Sequence, residues 1–469
     1  MDGWRFTLHQ PSYLAIADHA EDRELRRTLY EAFQARGTGE GRDNRALIPR
    51  ILELRRELAA LLGYADWADL QIEPRMARRG AVAQAFERDL FRRVEPHFRR
   101  EVEELQAFAR DELGIDRLEP WDVRFAFERM RQARYDLDDE TLRPWFPMDR
   151  VQAGVFEMAR ELFGVDVRRA ETRHAWHDGV EYYEVRDGDG HLVGAFFTDW
   201  YPRGDKRGGA WMMPLVTGGP TEDGVEPHLG AISGNLTPPE DGRPALLTHD
   251  EASTVFHEFG HLLHHLLSTV SVRSLAGTHV PWDFVELHSQ ILENWLWEDD
   301  ALVRIARHVD DGSPLPAELR ERMRAARTFG AAHHMIRQLS FGTVDLALHV
   351  DFEPGGDRDP LAFGRDVLAP FQIHPDAVSD GFLPAFAHIF AGGYAAGYYS
   401  YMWSEMLDAD AFGRFKREGL YAREVGEAFR RAVLSRGNSA PPEQLIREFL
   451  GREPDAEAML VRNLGLAPE

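Results

Sequence analysis

Apolar residues recur at helical spacing along most of the chain and at strand spacing in one short middle stretch. Asp22 is placed to cap a helix carrying Leu25, Leu29 and Phe33. Leu47, Ile51, Leu54, Leu58 and Leu61 mark the apolar face of a second helix that stops near Gly63, and a third runs from about Val82 into Leu113. These helices read as scaffold. Residues 173–176, 180–186 and 191–200 read as short strands, with Asp187-Gly188-Asp189-Gly190 turning between the last two. Residues 209–216 offer one more strand, and 221–243, rich in Gly and Pro, read as loop. Helices resume near Thr248, which with Glu251 makes a capping box. The pattern predicts a mainly α protein with one small sheet just before the helix after Thr248. Residues 1–170 form a helical scaffold subdomain and 171–469 a second subdomain.

Composition narrows the function classes. The 469 residues hold 79 acidic against 55 basic side chains, a net charge of -24, which argues against binding nucleic acid or an anionic membrane. There are no cysteines, so disulfides, thiolate ligands and a cysteine nucleophile are excluded. The first twenty residues lack a basic start followed by an apolar run, and a cytoplasmic location is expected. Residues 381–404 carry no Asp, Glu, Lys or Arg, long enough for a membrane span. Gly, Tyr, Pro384, His388 and Ser400 within them favour a buried soluble segment, so no membrane partner is expected.

Candidate chemistry centres on His257-Glu258-Phe259-Gly260-His261. Histidines four apart share a helix face, so both imidazoles can reach one ion, with Glu258 alongside as a general base. Alone, the pentapeptide also fits a helix with two hydrogen-bonded histidines. A catalytic zinc site wants a third protein ligand. Glu286 is the best candidate, in the first turn of a helix capped by Asp283 after Pro281, with Gln290 and Glu293 on roughly the same side. A first-turn Glu favoured by the helix dipole is the plain alternative. His264, His265 and His288 are rival ligands, and His249, His265 and His279 are ordinary solvent-facing or supporting residues on pattern alone. Tyr394, Tyr398 and Tyr401 fall at i, i+4 and i+7, one helical stripe after Gly392-Gly393. An aromatic core face explains the stripe. So does a row of neutral phenol donors brought to a substrate by a flexible glycine loop.

Taken together these residues resemble the thimet oligopeptidase family of zinc peptidases, in its bacterial oligopeptidase A subtype. The resemblance rests on Thr248-His249-Asp250-Glu251, on the run from His257 to His264, on Gly277-Thr278-His279-Val280-Pro281-Trp282-Asp283-Phe284-Val285-Glu286, and on the segment from His388 to Trp403. It extends to Asn235-Leu236-Thr237-Pro238 and Ser435-Arg436-Gly437-Asn438-Ser439, and covers most of the chain. The resemblance implies a gluzincin-like, mainly α catalytic subdomain with its small sheet beside the zinc helix. It implies one zinc ion per chain on His257, His261 and Glu286, with Glu258 as catalytic base. It also implies transition-state contacts from Tyr394 and Tyr401, a substrate contact from His388, and substrate binding around Tyr398, Gly392, Gly393 and His279. Short peptides are the implied substrates, and a monomer is expected.

Two departures stand out. This type usually has Pro where the chain has His288, which can perturb Glu286 or add a polar contact. The chain also begins partway along the usual family sequence, so the helical wall of a deep, size-restricting channel is expected to be missing. The expected reaction is hydrolysis of internal bonds in short unfolded peptides, zinc polarising water and carbonyl and Glu258 moving the proton. The strands before Thr221 offer pairing to an extended substrate. The rivals are a dipeptidyl carboxypeptidase of the same family, a catalytically silent peptide binder, and a helical protein with a chance motif.

Overall fold

Some helices begin at a side-chain cap. Asp22 accepts hydrogen bonds from the backbone N–H of Glu24 and Leu25 (3.0 and 3.2 Å) and starts helix Arg23–Gln34. The helix expected from about Val82 spans Gly80–Leu113 and ends on Gly114 in the left-handed conformation. The computed structural model describes residues 6–8, 10–136, 139–172, 174–204, 206–222, 224–239 and 242–466. It is mainly helical, with one five-stranded sheet and a two-stranded ribbon. The chain divides into two compact units, one of Met1–Asp136 with Ala326–Met402, the other of Leu137–Ala325 with Trp403–Glu469. A single cut near residue 170 does not separate them, because helix Gly80–Leu113 packs on helix Ala331–Val350, far downstream.

In the first unit the helix Leu47–Leu61 forms as its spacing requires, but it buries another face. Ile48, Leu52 and Ala59 are buried, while Leu47, Leu54, Leu58 and Leu61 are exposed. The core that meets Ile48 and Leu52 is built from Val344, Leu348, Phe363 and Leu383. With apolar residues on two sides of one helix, periodicity does not say which side finds a partner. The uncharged stretch 381–404 is broken into short helices Phe382–Ala385 and Ala387–Phe390, an irregular turn, and the start of helix Ser400–Glu418. Among the described residues no helix is long and apolar enough to cross a membrane.

The second unit holds the sheet. Its strands are β1 (Asp166–Ala170), β2 (Glu181–Arg186), β3 (Leu192–Asp199), β4 (Trp211–Val216) and β7 (His228–Ser233), in the order β1-β2-β3-β7-β4. β3 and β7 run parallel, and the other pairs are antiparallel. The Asp187–Gly190 turn joins β2 to β3 as expected, through Gly190 N–H to Asp187 O at 3.0 Å. Two expectations fail here. Arg173 lies outside the described residues, and 174–176 are not strand; Trp176 instead leans on Phe197 and donates to Asp199 (2.9 Å). The stretch 221–243 is not all loop. It supplies most of the ribbon, β5 (Gly219–Thr221) with β6 (Gly224–Glu226), and then the inner strand β7. Its glycines suit the strand because helix His249–Leu266 lies close against it. A Cβ at Gly230 would come 2.7 Å from Leu262 Cδ1.

His265 is part of that helix–sheet contact. Its Nε2–H donates to Val216 O and Leu229 O, both at 3.2 Å, and burial, with His228 nearby, pushes its pKa down to about 4. An unfolded histidine titrates near ~6.5. Between these values the unfolded chain binds the extra proton, so stability is present above ~6.5 and is lost as pH falls towards 4. We expect this residue alone to remove roughly 2 kcal/mol between about pH 7 and pH 5. Urea unfolding of His265→Gln, which keeps a donor to both carbonyls, checks this. An unchanged pH slope would contradict it.

Candidate metal centre and active site

The centre is built on helix His249–Leu266 of the second unit. Thr248 Oγ1 accepts from Glu251 N (3.0 Å) and Glu251 Oε2 from Thr248 N (2.9 Å), so the capping box fixes where the helix starts. Val255, Phe256, Phe259, Leu262, Leu263 and Leu266 are buried and lock its rotation. His257 and His261 then face the same way, ring centroids 5.0 Å apart. Glu286 arrives at the junction of two short helices, Trp282–Val285 and Leu287–Glu293, rather than in a first turn. Pro281, not Asp283, occupies the cap position; Asp283 is buried inside the first of them. Gly260 permits this approach, since a Cβ there would lie 2.2 Å from His288 O and 2.6 Å from Ser289 Cα.

Glu286 Oε2 lies 3.2 Å from His257 Nε2 and 3.3 Å from His261 Nε2. The three ligating atoms fall within 4.8 Å of one another. Tetrahedral bonds of ~2.0–2.1 Å place neighbouring donor atoms ~3.3 Å apart, so the set fits a divalent metal and leaves a fourth direction open. Ser289 Oγ steadies the same carboxyl oxygen (3.0 Å). Behind His257, Glu293 Oε1 accepts a hydrogen bond from Nδ1–H at 2.6 Å, while Ser253 Oγ donates to Glu293 Oε2. This fixes His257 with Nε2 towards the centre. Burial works against charge on this pair. The contacts with Glu286 and Glu293 nevertheless hold the His257 pKa well above the ordinary value, and contacts with His257 and His261 hold Glu286 well below its own.

Glu258 differs in kind. It is 5% exposed, its Oε2 has no hydrogen-bond partner, and burial raises its pKa against the pull of His257 and His261. The Met212 backbone N–H, on edge strand β4, helps to hold the carboxyl. A buried carboxylate oxygen with nothing to accept is costly, and beside three metal-donor groups it is suited to receive a proton. The rival histidines are spent elsewhere. His264 is fully buried, with Nδ1 3.1 Å from His288 Nε2. His265 bonds the sheet, His249 reaches Leu296 O (3.1 Å), and exposed His279 bonds Ala276 O (2.9 Å). His288 contacts His261, not Glu286. The other acidic cluster, Asp187, Asp189 and His191, is an exposed turn in which Asp187 already accepts two backbone N–H groups.

The tyrosine segment belongs to the first unit. Tyr394 and Tyr398 do not lie on a helix, which begins only at Ser400, yet the rings meet. Tyr394 stacks on Tyr401 at 5.7 Å and Tyr398 lies 5.1 Å from Tyr401. Gly393 (φ 82°) and Ala396 (φ 53°) turn the backbone so that consecutive turns bring the rings together. Buried Asp345 holds the turn by accepting from the N–H of Ala396, Gly397 and Tyr398 (2.8, 2.8 and 3.0 Å). Arg55 anchors Ile389 O (2.6 Å) and Arg75 anchors Ala396 O (3.2 Å). Tyr398 packs in the core and donates its hydroxyl to Gln338 Oε1 (3.0 Å). His388 is exposed, its ring 5.8 Å from Tyr394 and 5.5 Å from Tyr398; Gly392 and Gly393 are exposed at the tip. Nothing local in the sequence signals Asp345 or Arg55, which act across long separations.

The model for Peptidase family M3 matches residues 16–464. The chain belongs to peptidase family M3. It is therefore a metallopeptidase, with a mainly helical fold and a small sheet. It is 40% identical over 467 residues to oligopeptidase A of Escherichia coli (strain K12), covering 98% of this chain and 69% of that protein. It is 36% identical over 457 residues to dipeptidyl carboxypeptidase of Salmonella typhimurium (strain LT2), covering 97% of this chain and 66% of that one. Among solved structures, PZ peptidase A with an inhibitor superposes with a TM-score of 0.59 at 16% identity, covering 99% and 71% of the two chains, a likeness of fold alone.

Proposed function

We propose that this M3 metallopeptidase is a zinc-dependent endopeptidase that cleaves internal bonds of short unfolded peptides. The observation that carries the reading is a three-donor set of His257, His261 and Glu286 beside the buried, unpartnered Oε2 of Glu258. Two imidazoles and one carboxylate with an open fourth position are a zinc peptidase's donor chemistry. When bound, zinc polarises water and the scissile carbonyl. Glu258 takes the proton from the attacking water and passes it to the leaving amine. Strand β4 offers a sheet edge for an extended peptide, and Pro214 within it suits an edge position. Because β4 also supplies the Met212 N–H to Glu258, pairing there sets the scissile bond in register with the base. As the family resemblance implies, Tyr394 and Tyr401 serve as neutral donors to the oxyanion, and His388, Tyr398, Gly392, Gly393 and His279 serve substrate binding.

A second reading, release of carboxy-terminal dipeptides, is favoured by the 36% identity to a dipeptidyl carboxypeptidase. A peptide blocked at both ends separates the two. Cleavage at an internal bond, read by mass spectrometry, supports the endopeptidase. Turnover only of peptides with a free carboxyl terminus, two residues at a time, overturns it in favour of the second reading.

A further inference from the structure

The two histidines of the centre are supported in different ways. His257 has a carboxylate behind it, Glu293 at 2.6 Å. His261 has a second imidazole, with His288 Nε2 3.2 Å from its Nδ1. A ring nitrogen that binds a metal must be free of its proton, so a neutral His261 that presents Nε2 to the centre carries hydrogen on Nδ1. Out of water that N–H needs an acceptor. The acceptor in place is the Nε2 lone pair of His288, which is 1% exposed.

We propose that His288 is a positioning residue for the metal centre, holding His261 in the tautomer and orientation that leave its Nε2 free to bind zinc. The inference rests on the reading of His257, His261 and Glu286 as the metal set. With its Nε2 accepting from His261, His288 carries its own proton on Nδ1; His264 Nδ1 lies 3.1 Å from the same Nε2. His288 Nδ1 and His264 Nε2 are both buried without partners. An apolar side chain here would remove the unsatisfied His288 Nδ1 but take away the partner of both His261 Nδ1 and His264 Nδ1. Of its two contacts, the one to His261 reaches the metal set. The His288 backbone packs closely on Gly260, which fixes the point from which its ring reaches His261.

Neutrality is the second part of the argument. Glu258, Glu286 and Glu293 already bring three carboxyl groups to the centre, more than a dication balances. A fourth carboxylate behind His261 would add repulsion, whereas an imidazole accepts the hydrogen bond without adding charge.

Zinc affinity of the full chain, measured by competition with a chromophoric chelator, tests this. His288→Phe removes the acceptor, and we expect ~10–100-fold weaker zinc binding, the usual effect of losing a group that orients a ligand. His288→Gln, whose Oε1 can accept from His261 Nδ1–H, is expected to recover most of the affinity. Circular dichroism of the zinc-free proteins controls for folding. Nitrogen-15 NMR of the zinc-loaded native chain is expected to show a slowly exchanging Nδ1–H on His261. Equal affinity of His288→Phe and native protein overturns the inference, as does equal weakening by Phe and Gln, or a rapidly exchanging His261 Nδ1–H. A native chain that binds no zinc removes the metal reading and this inference with it, whereas the other outcomes remove this inference alone.

Discussion

Glu258→Gln is expected to cut kcat for a quenched fluorogenic peptide by about 10²–10⁴-fold, the usual contribution of a positioned acid–base group. The amide keeps the size of the side chain and can still accept from Met212 N–H, but it cannot hold the proton that must leave the attacking water. Zinc binding and folding are expected to remain close to native, because Glu258 is not among the three donors. The pH profile gives an independent check. Burial raises the Glu258 pKa, so its protonated form persists to higher pH than in an exposed glutamate, and the active base form is gained as pH rises. The native acid limb should report that titration and vanish in the variant. A variant with native kcat would remove Glu258 from the mechanism.

Glu286→Gln is expected to weaken zinc binding by more than ~100-fold, the upper range for a group that merely supports a ligand. The carboxylate is the only anionic donor of the set, and both imidazoles point at its Oε2. Removing its charge takes away the strongest attraction for a dication and leaves two half-buried imidazoles facing a neutral amide. Metal content after dialysis and chelator competition measure the effect, and activity should return only at high added zinc. Native zinc content in Glu286→Gln would mean that another residue completes the site.

Much of the centre is legible because its pieces are local. His257, Glu258 and His261 need only a helix, and the Thr248–Glu251 capping box announces that helix. Glu286 is legible as a charged residue in an apolar run, although the break between two short helices at its position is not. The inner strand β7 escapes detection because it lies in a Gly- and Pro-rich stretch, and its Gly230, which makes room for Leu262, looks like a loop residue in one dimension. The tyrosine stripe has the right members and the wrong backbone. Spacing suggests one helix, whereas Asp345 bends the segment from 51 positions away, through the N–H of Ala396.

The sequence alone singled out the candidate donor set and base, because ligand chemistry and helical spacing are properties of neighbouring residues. It also determined strands β2, β3 and β4 and the helix after Thr248, but not β1, the β5–β6 ribbon or β7. Tertiary structure decided what stands behind each donor. Glu293 backs His257, His288 backs His261, and Met212 meets Glu258, each brought from another element by packing at Gly260 or by strand pairing. Hydrogen-bond partners across such separations leave no periodic trace in the chain, since any of several carboxylates or histidines would satisfy the pattern equally well. Only the close approach of helix to helix and helix to sheet selects among them.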